Sequence, residues 1–442
     1  MTDVTPASLP VRVRRGYGLG SVATGTFGTV PGLLLLPYLT DTLGVTAVIA
    51  GVIVFLPKAW DVLLNPVAGR VSDRSTHPGG RRRPFLLRGG LALAFFFALM
   101  FAGPTGSPGV GAAWVVVTFL LCATAYAFFQ VPYVAMPAEL TLDYDERTRL
   151  MTWRVAILAV AILLSGATAP MVVDAVGKDS PEGYRLMGVY VAVILVVGVV
   201  GAWWGTRGAP EHRVEAPAGT VRDQLRLVAG STDFRPLLLT FVLQALGVGT
   251  MLAGVAYVAD DVLDSAAAST ILFAAFVAPA LVVTPLWERY ARARTKHSGY
   301  VVSTVLMVIG MLVIGAALPS LPALAYAGAA VVGVGYAGAQ VFPMAMLPDV
   351  AARDAARTGE NRVGVFTGVW TAGETLGLAL GPAVFALVLA IGGYVSSSAG
   401  VDVTQSDGAV LAIRLGFTLL PAVVVAVSLL ALRGYRLDEE YR

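Results

Sequence analysis

Apolar runs of about twenty residues recur along the whole chain, and each is long enough to cross a bilayer core roughly 30 Å thick as a helix. Short clusters of charged residues, Pro and Gly separate them. The runs predict helical spans near 16–40, 46–72, 85–103, 111–140, 150–174, 186–206, 236–259, 267–291, 299–317, 321–348, 362–392 and 408–433. Inside lipid every backbone N–H and C=O must be satisfied within the segment, so runs of this length are helical. The longest polar stretch, RGAPEHRVEAPAGTVRDQLRLVAGSTDFR, separates the twelve spans into two sets of six. That pattern predicts an N-terminal six-helix bundle over 1–206, a linker over 207–235 and a C-terminal six-helix bundle over 236–442.

Composition strengthens the membrane reading. Of 442 residues, 57% are hydrophobic and 13% charged, against roughly 25% charged in soluble domains. Water-soluble folds are excluded on that ground, and disorder is excluded by the apolar content. The fold class expected is an all-α membrane protein. A net charge of +3 suggests no nucleic-acid partner, because in such a chain basic residues set orientation. Most of them fall on one side of the predicted spans: Arg12, Arg14 and Arg15; Arg70, Arg74, Arg81, Arg82, Arg83 and Arg88; Arg147, Arg149 and Arg154; then those of the middle segment and of three later connections. Lys178, Arg185 and Arg414 fall on the other. This places both termini on the cytoplasmic side of the inner membrane. Cys122 is the single cysteine, so no internal disulfide or metal cluster is expected. The opening residues, MTDVTPASLPVRVRRG, carry no apolar run and cleavage site of a signal peptide. Phosphate-binding loops, HExxH and Ser–His–Asp patterns are absent as well, so no enzyme and no cofactor are expected.

The two halves echo each other. Gln130-Val131-Pro132-Tyr133-Val134-Ala135-Met136-Pro137-Ala138-Glu139 resembles Gln340-Val341-Phe342-Pro343-Met344-Ala345-Met346-Leu347-Pro348-Asp349, and the basic loop after Pro66 is echoed after Pro285. Parallel six-helix repeats are the architecture of the major facilitator superfamily, in which a solute site lies at the midplane between the halves.

Four stretches narrow this further. DVLLNPVAGRVSDRSTHPGGRRRP (61–84), PYVAMPAELTLDYDERTRLMTWR (132–154), GYRLMGVY (183–190) and MLPDVAARDAARTGENRVGVFTGVWTAGETLGLALGP (346–382) resemble, in order, the signatures of the glycoside–pentoside–hexuronide:cation symporters, the melibiose-permease-like family. The resemblance implies a secondary active transporter that moves a small organic solute, sugars and glycosides among them, by alternating access and without nucleic acid or cofactor. A vertebrate lysolipid-transporting branch shares these signatures. An exporter or carrier of lipid-like substrates is therefore a second reading, and a non-transporting receptor or scaffold a third. A monomer is the default of the fold.

Candidate residues follow from the cost of charge in lipid, roughly 2.5–3.5 kcal/mol at the helix centre on insertion scales. Lys58, Asp61 and Asn65 fall on one face of helix 2. In the resembled family the positions of Asp61 and Asn65 help to bind the coupling cation. Asn65 replaces the second acid there, which favours H+ coupling through Asp61, or uncoupled transport, over Na+ coupling. A structural Lys58–Asp61 ion pair is the alternative. Glu374, one turn after Trp370 in helix 11, is expected to be desolvated and suited to proton coupling or a cationic substrate. A structural hydrogen bond across helices is its alternative. Gly373, Gly377 and Gly381 form a small-xxx-small ladder for close helix approach. Substrate-contact candidates are Thr24, Tyr126, Gln130, Arg154, Gln340 and Trp370. The family's sugar-binding acids are missing from helices 1 and 4, and Arg154 alone matches the charged set. Asp73, Arg74, Arg81, Arg82 and Arg83 are the gating candidates, pinning helix ends in one state. Glu139, Asp143, Asp145, Glu146 and Asp349 are expected as solvated caps and salt bridges at helix ends. His77, His212 and His297 are expected in loops.

Overall fold

A computed structural model describes residues 9–78, 80–141, 143–177, 180–209, 230–265, 267–358, 363–398 and 403–435. Thirteen α-helices run through them: α1 (Val11–Pro37), α2 (Ala47–Asp73), α3 (Arg83–Met100), α4 (Pro108–Leu140), α5 (Tyr144–Asp174), α6 (Pro181–Gly205), α7 (Phe234–Tyr257), α8 (Ala268–Ala293), α9 (Lys296–Ala317), α10 (Pro322–Thr358), α11 (Val363–Ile391), α12 (Asp407–Phe417) and α13 (Leu419–Leu432). With α12 and α13 taken as one interrupted crossing, eleven of the crossings are long and apolar enough to span a bilayer. The twelfth is α2, 27 residues long, which carries Lys58, Asp61, Arg70 and Asp73.

The described chain divides into two compact units. One takes in residues 9–45, 56–209 and 396–398, the other 46–55, 230–395 and 403–435. In the first, α1 packs on α5 and α6, and α3 on α4 and α6. Its core includes an aromatic knot in which Tyr38 lies 4.8 Å from Tyr184 and 5.2 Å from Phe101 between ring centroids. In the second, α7 packs on α11 and α13, and α9 on α10 and α13. These are the same pairings shifted by one half-chain. Polar side chains join helices here as well: Gln244 donates to Thr304 at 2.9 Å and to Ser428 at 3.3 Å, and accepts from the Tyr300 hydroxyl at 3.0 Å.

The repeat also appears in the backbone. Beyond α1 the chain makes a π-helical turn over Tyr38–Thr42, and beyond α7 another over Val258–Val262. Leu43 and Val45 N–H donate to the Tyr38 and Leu39 carbonyls; 220 residues on, Leu263 and Ser265 donate to Val258 and Ala259. The positive φ that follows each turn falls on Gly44 in one copy and on Asp264 in the other. Paired prolines match too, Pro132 and Pro137 in α4 against Pro343 and Pro348 in α10.

Several expected boundaries move. Span 6 begins at Pro181 because Ser180 caps it, accepting from Gly183 N–H, and span 9 begins at Lys296 because Thr295 caps it. The tenth span continues to Thr358 through DVAARDAART, whose Ala and Arg residues favour helix. Span 12 is interrupted at Thr418. Pro421 has no N–H to offer the Phe417 carbonyl, and the Thr418 hydroxyl bonds back to the Arg414 carbonyl at 2.6 Å. Arg414 itself donates to the Leu318 carbonyl, at the C-terminal end of α9. His297 lies in the first turn of α9 and stacks on Tyr435, not in a loop. Most of the expected linker (210–229, with His212), together with Lys178 and Arg362, lies outside the described residues.

Candidate functional site

The unit built from α1 to α6 gathers most of the candidates. Asp61 is 5% exposed, and its Oδ1 has no hydrogen-bond partner among the described residues. Lys58, one turn earlier, makes no ion pair with it within 4 Å; its ammonium lies 5.3 Å over the Phe27 ring instead. Phe27 packs on Tyr126 at 4.6 Å, and Tyr126 lies in the electrostatic reach of both Asp61 and Arg154. The Arg154 guanidinium sits 5.7 Å over Tyr133 and directs Nη1 at the Met151 sulfur, while its Nε is buried without a partner. Tyr133 donates to the Tyr17 carbonyl at 2.9 Å, so Ser21 donates to the Tyr133 hydroxyl. Thr24 is buried and bonds back to the Ser21 carbonyl. Gln130 is half-buried and Asn65 exposed.

One buried carboxylate, two cations and a set of phenols thus share one region. Missing from the sequence reading were Tyr133 and Tyr17, whose stacked rings (4.7 Å) hold Arg154's surroundings. Tyr133 stood inside the PYVAMP motif, but nothing in the sequence tied it to α1.

In the other unit Glu374 is half-buried on α11, with Tyr336 of α10 beside both it and Gln340. Trp370 departs from its expected role. It is 1% exposed and stacked on Phe241 at 4.3 Å, with Phe234 at its edge. Its apolar body is core packing between α7 and α11. The glycine ladder lies along the same contact: a Cβ on Gly381 would stand 2.3 Å from the Gly249 carbonyl carbon.

The gating candidates form a network at one end of the first unit. Arg82 donates to Glu139 from Nε at 3.0 Å and Nη2 at 2.8 Å, and from Nη1 to Ser72 at 2.6 Å; Asp73 flanks it. Arg81 reaches Asp73 and Glu139 at 3.5 and 3.4 Å, and Arg83 donates to the Ala209 carbonyl at 2.7 Å. Arg74 is exposed and outside this network. Glu139 and Glu146 are buried, not solvated; arginines that are distant in sequence or fold over them supply the compensation a helix end in water would not need. Asp143 caps α5, accepting from Glu146 N–H at 2.8 Å. The corresponding pair in the second unit is Lys296 with Asp349, where Lys296 also donates to the Ala345 carbonyl.

The family model described as MFS/sugar transport protein matches residues 16–439. The chain belongs to that family. It is 28% identical, over 98% of its length and 93% of the relative's, to an Escherichia coli (strain K12) protein named as a candidate glycoside/cation symporter. An isoprimeverose transporter of Lactiplantibacillus pentosus is 24% identical over 99% and 93%. Among solved structures, a proton-dependent oligopeptide transporter superposes with a TM-score of 0.70 over 98% of this chain and 99% of that one, at 15% identity. A nucleoside transporter gives 0.68 over 96% and 99%, at 13%. The fold is therefore the major facilitator fold of twelve crossings in two repeats. This member of the MFS/sugar transport family is a multi-pass secondary transporter of a small organic solute, and not an enzyme.

Proposed function

We propose that the protein takes up a glycoside or related sugar together with protons across the cytoplasmic membrane, with both termini in the cytoplasm. The observation that carries the coupling is the Asp61 carboxyl, buried in a membrane helix with, among the described residues, one oxygen unpartnered and no ion pair to Lys58 within 4 Å. A carboxylate held that way is costly, and such groups mark ion and proton pathways. A proton satisfies it alone. Sodium needs several oxygen ligands, and Asn65, exposed one turn on, contributes no second charge. Relatives named for glycoside/cation symport and isoprimeverose support the sugar, and the basic residues at the ends of α1, α3 and α5 support the orientation. Tyr126, Gln130 and Arg154 supply hydroxyl, amide and guanidinium groups suited to sugar hydroxyls within the first unit. Nothing observed favours a lipid-like substrate or a receptor.

The test is sugar entry into proteoliposomes with external pH recorded, using isoprimeverose and a glucuronide. Added sugar should make the exterior alkaline without sodium. Asp61→Asn should abolish that alkalinisation and proton-driven accumulation while sparing sugar counterflow. Unchanged alkalinisation in Asp61→Asn, or a requirement for sodium, refutes the coupling. Glu374→Gln should reduce counterflow itself.

A further inference from the structure

Around the N-terminal end of α1 three arginines hold their guanidinium carbons over three tryptophan rings. Arg12 stacks 4.5 Å over Trp204 and donates to the Trp204 carbonyl at 3.0 Å. Arg207 stacks 4.7 Å over Trp203, both at the end of α6, and Arg15 stacks 5.6 Å over Trp153 in α5. All three arginines are exposed, as are Trp153 and Trp204. A guanidinium over a ring keeps in-plane N–H groups, the edge that matches a phosphate; Arg12 uses one of its five on the Trp204 carbonyl. At the start of α1 the Val13 and Arg14 N–H groups both donate to the Pro10 carbonyl, and no acid lies in the first turn to compete for these arginines. Among the described residues the acid packed nearby, Glu146, is buried and held by Arg14, Arg149 and the Leu9 N–H.

An apolar track leads away from this cluster. Arg12, Arg15, Leu19 and Val22 follow at helical spacing along α1, the first two exposed and the others half-buried; Leu19 and Val22 rest on Gly201 and Gly198 of α6 and so floor the groove between α1 and α6. They span about 15 Å at 1.5 Å per residue, close to one leaflet's share of the hydrocarbon core. Exposed Val193, Val197 and Val200 extend the track on α6 below Trp204. Tryptophan is at home at the membrane–water boundary, so the arginines stand at headgroup level and the track at chain level.

We infer that this end of α1, α5 and α6 binds a single anionic phospholipid, its phosphate on Arg12, Arg15 and Arg207 and one acyl chain along Leu19 and Val22. The site is separate from the sugar and proton groups, and does not depend on the transport reading.

Native mass spectrometry of the full-length protein in detergent tests it, with phosphatidylglycerol and phosphatidylcholine of identical chains as probes. Each arginine near an anionic headgroup is worth about a factor of five, so the three give a preference for phosphatidylglycerol on the order of a hundredfold. Arg12→Gln/Arg15→Gln/Arg207→Gln should equalise the two lipids, and the corresponding triple Lys variant should restore most of the preference. Equal binding by the wild type, or a preference that survives in the Gln variant, overturns the site. So does displacement of the lipid by soluble glycerol phosphate at equal concentration, which would assign the cluster to a free phosphate. Should the Gln variant not fold, brominated lipids decide on the wild type. Stronger tryptophan quenching by the phosphatidylglycerol form supports the site, and equal quenching overturns it.

Discussion

Arg82–Glu139 and Lys296–Asp349 occupy corresponding positions in the two repeats, yet their surroundings differ. The side chains of the first pair are 7% and 6% exposed, those of the second 35% and 38%. Replacing Arg82 by Gln removes two charge-assisted bonds to Glu139 and leaves that carboxylate buried with Arg81 at 3.4 Å. Stranding one partner of a buried pair costs about 3–5 kcal/mol. Arg81 offsets part of this, so about 3 kcal/mol is expected, on the order of a hundredfold in the ratio of folded to unfolded protein. Lys296→Gln should cost at most about 1 kcal/mol, because water screens a pair that is one-third exposed. Double-mutant cycles, Arg82→Gln with Glu139→Gln and Lys296→Gln with Asp349→Asn, read the coupling from denaturant unfolding followed by circular dichroism in detergent. Raising salt should weaken the second coupling and leave the first nearly unchanged. Equal couplings in the two repeats, or a first coupling below about 1 kcal/mol, would refute the argument that burial decides the strength of these pairs.

Two further expectations concern packing and backbone. Gly381→Val should destabilise by about 1–3 kcal/mol, since its Cβ would overlap the Gly249 backbone on α7; thermal unfolding in detergent measures this, and an unchanged transition would mean that α7 and α11 are not in close contact. Asp264→Gly should be neutral or stabilising by up to about 1 kcal/mol at its φ of 45°, whereas Gly44→Ala, at φ 69°, should lose about 1 kcal/mol; the same melts compare them.

The sequence pattern is sufficient to show twelve crossings, because lipid enforces a length that apolar runs betray. It shows the repeat as well, through Pro132 and Pro137 against Pro343 and Pro348. Features decided by contacts distant in sequence are hidden. Glu139 looks like a solvated helix end until Arg82 folds over it from 57 positions away. Trp370 looks like a substrate contact beside Glu374 until Phe241 is seen stacked against it. The three extra turns of α10 look like a loop because their charges mask their helix propensity. Pro421 did carry a local signal for the break at Thr418, and an uninterrupted apolar run concealed it. In the site, the absence of an ion pair within 4 Å between Asp61 and Lys58 could not be foreseen: helical spacing puts them on one face but does not say that the lysine leans over Phe27.

The π-helical turns at Tyr38–Thr42 and Val258–Val262 bear on the history of the chain. A π turn accommodates one residue more than an α turn, and such turns are rare. Two copies 220 residues apart, with the same hydrogen bonds but the unlike sequences YLTDT and VADDV, point to one ancestral insertion. Duplication of a six-helix gene that already carried the extra residue would leave this pattern, a backbone detail kept in both copies while the side chains around it differ.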